Sequence, residues 1–108
     1  MKKGDIWIVE LPLTGGHEQA GMRPAIVLAD TPSSVAIVVP CTSNLKALQL
    51  PHTFSIDPSE KNGLENTSVA LVLQIRALDK RRLQKRIGTL EPSLMEEINK
   101  TLRELLVI

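Results

Sequence analysis

Two apolar runs, Pro24 to Ala29 and Val35 to Cys41, flank the segment Asp30-Thr31-Pro32-Ser33-Ser34. Neither run alternates with polar residues, both are rich in β-branched side chains, and both are too short for ordinary helices. The pattern predicts two well-buried antiparallel strands joined by a turn. Proline donates no ladder hydrogen bond, so Pro24 is expected to open its strand rather than sit inside it. The chain has 108 residues, 43% of them hydrophobic, which suffices for one core and not for two. Residues 1–108 therefore read as one domain. So few residues cannot cover both faces of an open sheet, which points to a mainly β architecture, a small and strongly bent antiparallel sheet or barrel.

The other elements fit that plan. Ile6 to Leu11 reads as a strand and Leu13 to Met22 as a long polar loop, of a length and polarity typical of functional loops. Asn44 to Pro51 is a second loop, His52 to Ile56 a fourth strand, and Asp57 to Gly63 a turn region tightest at Asn62-Gly63. Thr67 to Ile75 is apolar and strand-like. Asp79 to Leu83 reads as one short helical turn with Asp79 as its N-cap, followed by a strand near Lys85 to Leu90. A C-terminal helix closes the chain. Pro92 suits its first turn, Ser93 and Glu96 have capping-box spacing, and Leu94, Met95, Ile98, Leu102, Leu105 and Leu106 form one apolar face. The total is about six strands and one helix.

Several function classes find no support. No apolar run approaches the roughly 18 residues needed to span a bilayer, and the start Met1-Lys2-Lys3-Gly4-Asp5 lacks a signal-peptide pattern, so a cytoplasmic protein without membrane association is expected. Cys41, the single cysteine, cannot form an internal disulfide. With His17 and His52 it gives no zinc spacing, and no glycine-rich nucleotide motif is present, so neither metal nor cofactor is expected. Trp7 and Phe54 are the only aromatic residues, too few for a base-stacking platform. Trp7 reads as core or interface, and Cys41 as a small buried apolar residue.

The net charge of +1 is uninformative, but its distribution is not. Residues 1 to 50 carry four Lys/Arg and four Asp/Glu, residues 51 to 90 seven and four, residues 91 to 108 two and four. Arg76, Lys80, Arg81, Arg82, Lys85 and Arg86 fall within eleven residues. Such a run is either a solvated surface or a stripe facing phosphates, and by itself the first is the better reading.

A sharper signal comes from two strand ends. The loop Gly15-Gly16-His17-Glu18-Gln19-Ala20-Gly21-Met22 delivers Arg23 to the start of the first apolar run. The second run ends in Thr42, Ser43 and Asn44, two hydroxyls and an amide where the chain leaves the sheet. A planar, permanently charged guanidinium beside neutral donors suits a phosphodiester. The competing readings are a surface ion pair of Arg23 with Glu18 or Glu10, and a Thr42 hydroxyl that caps backbone.

Four ordered blocks, Gly4-Asp5-Ile6-Trp7, Gly16-His17-Glu18-Gln19 with Gly21-Met22-Arg23-Pro24, Val39-Pro40-Cys41-Thr42-Ser43, and Gln74 to Leu83, resemble the MazF/PemK family of toxin endoribonucleases. The resemblance runs from Lys3 to the final helix. It implies an SH3-like β-barrel homodimer that cuts single-stranded RNA in a sequence-selective manner without a metal, by attack of the 2′-hydroxyl on its own phosphorus. It also implies neutralisation by a cognate antitoxin with a disordered acidic segment, in a complex that binds DNA through the antitoxin. Carried over by position, the family's arginine falls on Arg23 and its catalytic threonine on Thr42. His17 matches a histidine present in some members, a candidate base or phosphate contact against an ordinary exposed loop residue. Glu18 and Gln19 match a Glu-Gln pair that contacts RNA or braces its own loop. Ser43, Asn44, Arg76 and Lys80 become candidate RNA contacts. Leu73 departs from the family, since relatives often carry an acid there, which puts specificity and rate in question. Two readings from other classes stand beside this one: a gyrase-inhibiting toxin of the CcdB type, which needs neither Arg23 nor Thr42, and a catalytically silent barrel that acts as a binding module.

Overall fold

The computed structural model describes residues 1–12 and 20–108. Seven strands, β1 (Asp5–Leu11), β2 (Gly21–Asp30), β3 (Val35–Thr42), β4 (Thr53–Ile56), β5 (Ser68–Leu71), β6 (Arg76–Asp79) and β7 (Leu83–Thr89), precede one helix, α1 (Pro92–Leu106). They form one antiparallel sheet in the order β4-β5-β3-β2-β1-β7, with β6 also paired to β3. The mainly β fold of the sequence reading holds, with two differences. Among the described residues there are seven strands rather than about six, and β4 and β7 do not pair, so the barrel stays open.

The bend originates at β3. Its outer edge pairs with β6 over Val35 to Val38 and with β5 at Cys41 and Thr42, and neither ladder includes Val39 or Pro40. Proline, which has no N–H to donate, thus lies where the sheet forks. Pro24 corrects an expectation: it is the fourth residue of β2, not the first. It lies opposite Ile8 of β1, while the ladder to β3 starts only at Ala25, so this stretch of β2 has one open edge, where proline is tolerated.

The apolar runs lack alternation because the middle of β2 and most of β3 are buried on both faces. Ile6, Ile26, Val39 and Cys41 join Ile56, Val72 and Ile98 in one cluster, against which Leu94, Met95, Leu102 and Leu105 of α1 pack. Val9, Ala25, Val27, Ala36 and Val38 form a second cluster with Leu78 of β6, flanked by Trp7 and Leu83. The expectation that so few residues cannot cover both faces of an open sheet, and that the sheet must therefore bend, holds. Curling the sheet lets its own β6 and β7 segments cover the second face.

Other boundaries shift for local reasons. The run Thr67 to Ile75 is not one strand: β5 ends at Leu71 and a 3-10 turn, Val72–Gln74, leads into β6. The loop after Asn44 contains a second 3-10 turn, Leu45–Gln49, whose N-cap Asn44 accepts the Lys46 N–H at 3.1 Å. With Lys80–Arg82, capped by the Asp79 carboxylate on the Arg81 N–H at 2.9 Å, the described residues contain three short turns rather than one. The capping box of Ser93 and Glu96 is not used. Pro92 occupies the first turn as expected, but this makes Glu91 the N-cap and places Ser93 inside the helix. The Glu91 carboxylate faces the loop before β5, where it accepts Asn62 Nδ2 at 2.9 Å and Ser59 Oγ at 3.3 Å.

Asn62 is fully buried and organises that loop. Its Oδ1 accepts the N–H groups of Ser59 and Leu64, both at 3.0 Å, and its Nδ2 also donates to the Asp57 carbonyl at 2.9 Å. Gly63 follows with φ +69° and lies so close to β7 that a Cβ there would stand 2.0 Å from the Ile87 carbonyl oxygen. Residues 57–66 are thereby fixed against β7 and the start of α1.

Candidate active site

Arg23 is partly buried in β2, level with Val9 of β1, and its Nε donates to the Ala20 carbonyl at 3.2 Å. Among the described residues it has no carboxylate partner. Of the two acids proposed as competitors, Glu10 pairs instead with Arg82 Nη1 at 2.9 Å, and Glu18 lies outside the described residues. The β2–β3 ladder sets Ala25 opposite Pro40, and the same register carried two residues further sets Arg23 level with Thr42. Thr42 is buried, and its Oγ1 accepts the Asn44 N–H at 3.2 Å. The backbone-capping role anticipated for it is thus present. It uses a lone pair of the hydroxyl and leaves the proton to be donated elsewhere, so capping and substrate binding are compatible.

The two residues line neighbouring clefts. The first, of about 380 Å³, is bounded by Arg23, Ser43 and Lys85, by Glu65, Asn66 and Ser68, and by the apolar Ile8, Met22, Pro24, Leu64 and Ile87. Pro24, Ile8 and Lys85 are register partners across β2, β1 and β7, so one row of the sheet contributes to this cleft. The second, of about 280 Å³, is bounded by Thr42, Asn44, Lys46, Gln49, Leu50, Leu71 and Gln74. The end of β3 separates them, with Ser43 on one side and Thr42 on the other.

The remaining predicted site residues divide. His17, Glu18 and Gln19 lie outside the described residues. Arg76 opens β6 opposite Val38 and lines neither cleft. Lys80 is also placed elsewhere: its Nζ pairs with Asp30 Oδ1 at 2.6 Å and donates to the Thr31 carbonyl at 2.6 Å, at the far end of the β2–β3 hairpin. Leu73 is partly buried in the turn between β5 and β6. Cys41, next to Thr42, is fully enclosed, and burial pushes its thiol up to about 12, so it is protonated and unreactive at neutral pH. Sequence reading missed Lys85, Glu65, Asn66 and Ser68. Lys85 belonged to the basic run, but nothing in that run distinguished it from its neighbours. The other three reach the cleft only because the Asn62 loop is fixed against β7. Among the described residues no group of His, Cys, Asp and Glu could hold a metal ion, and no helix is long and apolar enough to cross a membrane.

Comparison with known proteins follows the same outline. The model of the PemK-like, MazF-like toxins of type II toxin–antitoxin systems matches residues 2–106. Endoribonuclease EndoA of Bacillus subtilis is 34% identical over 107 residues, covering 95% of this chain and 91% of that protein. Endoribonuclease MazF of Staphylococcus saprophyticus is 33% identical over 103 residues, covering 92% and 85%. Among solved structures, MazF of Deinococcus radiodurans superposes with a TM-score of 0.83 at 26% identity, covering 100% of this chain and 97% of that one. A MazE–MazF structure from the same organism superposes with a TM-score of 0.75 at 25% identity, covering 100% and 96%.

Proposed function

The chain belongs to the PemK-like, MazF-like toxins of type II toxin–antitoxin systems, and from that membership we propose that it is an endoribonuclease that cuts single-stranded RNA. The reading rests on Arg23 and Thr42 lying at the same end of β2 and β3 and lining neighbouring clefts, with Arg23 committed to no carboxylate among the described residues. Attack of a 2′-hydroxyl on the adjacent phosphorus develops extra negative charge on a five-coordinate centre. The Arg23 guanidinium stabilises that charge, and the Thr42 hydroxyl donates its remaining proton to a non-bridging oxygen. Ser43, Asn44 and Lys85 steady the RNA on either side of this ridge, Arg76 is a more distant contact, and Glu18 and Gln19 belong to the loop that precedes Arg23. His17 on that loop takes the 2′-hydroxyl proton, and the leaving 5′-oxygen is protonated by way of water. No metal takes part.

The protein acts in the cytoplasm as a homodimer whose RNA groove draws on both chains. A MazE–MazF structure exists for the Deinococcus relative, which supports a cognate antitoxin here as well. Its acidic segment would fold along the basic groove, and the pair would bind DNA through the antitoxin. The test is to incubate the purified protein with a long single-stranded RNA in chelator. Cleavage should persist and leave 2′,3′-cyclic phosphate and 5′-hydroxyl ends, and deoxyribose at the cut site should block it. Five-prime phosphate ends or a requirement for Mg²⁺ would refute the mechanism. His17→Ala should lower the rate roughly 100- to 10,000-fold and remove the acid limb of the pH–rate profile.

A further inference from the structure

The Arg23 cleft contains a charge that phosphate binding does not explain. Arg23 and Lys85 suit the backbone of RNA, but Glu65, on the same cleft, is an exposed carboxylate that pairs with no cation among the described residues. Beside a phosphodiester it is repulsive. It becomes favourable toward a hydrogen-bond donor, and RNA presents two kinds, the ribose 2′-hydroxyls and the edge N–H groups of its bases, of which only the second can be paired with a neighbouring acceptor that tells one base from another. The next residue, Asn66, is also exposed on the cleft and adds a carboxamide with one acceptor and two donor hydrogens. A carboxylate beside a carboxamide is poor at holding phosphate and well suited to a base edge. Ile8, Pro24 and Ile87 supply an apolar surface for the base's face. The Asn62 bonds and the tight Gly63 hold this pair in place, so the readout would be preorganised.

We propose, building on the RNA-cleaving reading above, that Glu65 and Asn66 read one base next to the cut site and select adenine, cytosine or guanine over uracil through the exocyclic amino group. Each of the three favoured bases offers an amino donor to the carboxylate and, beside it, an acceptor that the Asn66 amide can reach. Uracil offers a single N–H flanked by two carbonyl oxygens, so a carboxylate meets repulsion on either side.

The experiment maps cut sites in a random-sequence RNA with the wild-type protein, Glu65→Ala and Asn66→Ala. It then measures cleavage of short substrates in which the amino group at the selected position is deleted, as with inosine for guanine. Wild type should discriminate against uracil at one position by about tenfold or more, and deletion of the amino group should cost a similar factor. In Glu65→Ala both preferences should collapse to within about threefold, because the deleted donor then has no acceptor to lose. Both side chains are exposed, so the variants should fold, with thermal unfolding as the control. Uracil tolerated at every position, or losses from the amino deletion and Glu65→Ala that simply multiply, would overturn the proposal while leaving RNA cleavage intact. An equal loss on every sequence in Glu65→Ala, with an altered acid limb of the pH–rate profile, would also overturn it and make Glu65 a catalytic group. If wild type cuts no RNA at all, the proposed function fails with it.

Discussion

The β2–β3 hairpin has two ends that treat polar groups in opposite ways. At the tip, Lys80 Nζ is bonded to both Asp30 and the Thr31 carbonyl, the Lys80 N–H donates to the Ser34 carbonyl at 2.8 Å, and the Val35 N–H donates to Ser33 Oγ at 3.1 Å. Asp79 holds Arg81 next to it, and both carboxyls, Asp30 and Asp79, sit below their usual range because of those hydrogen bonds. At the other end, among the described residues, Arg23 has one carbonyl contact, Thr42 keeps a proton to give, and Lys85 stands at a cleft without a carboxylate partner. Both ends are equally polar in sequence. What separates them is whether the fold has used the hydrogen-bonding capacity it contains, and unused capacity beside a cleft is what a ligand can complete.

The largest losses of activity are expected at Arg23 and Thr42. Arg23→Ala and Thr42→Ala should each lower RNA cleavage by about 100-fold or more, measured as initial rates, and the double variant should lose less than the product of the two. Arg23→Ala should melt close to wild type. Thr42→Ala should melt somewhat lower, since it strips the Asn44 N–H of its acceptor. Near-wild-type cleavage by Arg23→Ala would mean that the open end is merely unpaired surface.

Gly63→Ala should give the largest loss of stability. Its Cβ would collide with the Ile87 carbonyl in a backbone conformation that L-residues avoid, at a cost of about 3 kcal/mol or more. Chemical denaturation would read this directly, and it should also loosen the cleft wall that carries Glu65 and Asn66. Much smaller is the expected effect of Lys80→Met at the hairpin tip. The ion pair is partly exposed, so melting should fall by a few degrees at most and cleavage should not change. A large loss of cleavage there would return Lys80 to the site and erase the contrast between the two ends.

The smallest effect should appear in acid. Burial raises the Asp5 carboxyl, but the Lys2 N–H, the Arg86 charge and bonds from Thr89 and Arg86 outweigh it and leave the group below its usual range. A carboxyl lowered on folding contributes stability that is complete above its unfolded value near pH 4, and loses it as pH falls through the folded value. Melting temperatures should therefore begin to fall below about pH 4, and Asp5→Asn should flatten that decline.

The sequence revealed most where a single local pattern decides. The apolar runs became β2 and β3, the Asn62-Gly63 turn and the Asp79 cap formed as expected, and the four blocks led to the family. It failed where a distant partner decides. Arg76 to Asp79 forms β6 only because the curl presents the edge of β3, so four residues with no strong pattern of their own become a strand. Ser93 lost its capping role to Glu91, whose partner Asn62 lies 29 residues away. Glu65 and Lys85 meet at one cleft although they belong to a loop and to β7, and no spacing in the chain connects them.

Where β2 and β3 are buried on both faces, their alignment has no wet face to check it. In a sheet with one wet face, sliding a strand by one residue exposes the wrong side chains and is rejected by solvent. Here a slip would exchange one apolar set for another, Ile26 for Ala25 or Val39 for Val38, and water would have little to object to. Proofreading of the pairing therefore falls to punctuation: the irregularity between Val27 and Ala29, Pro24 and Pro40 at gaps in the ladders, and the Lys80 bond across the hairpin tip. Those few positions decide whether Arg23 arrives level with Thr42 or one residue out of step.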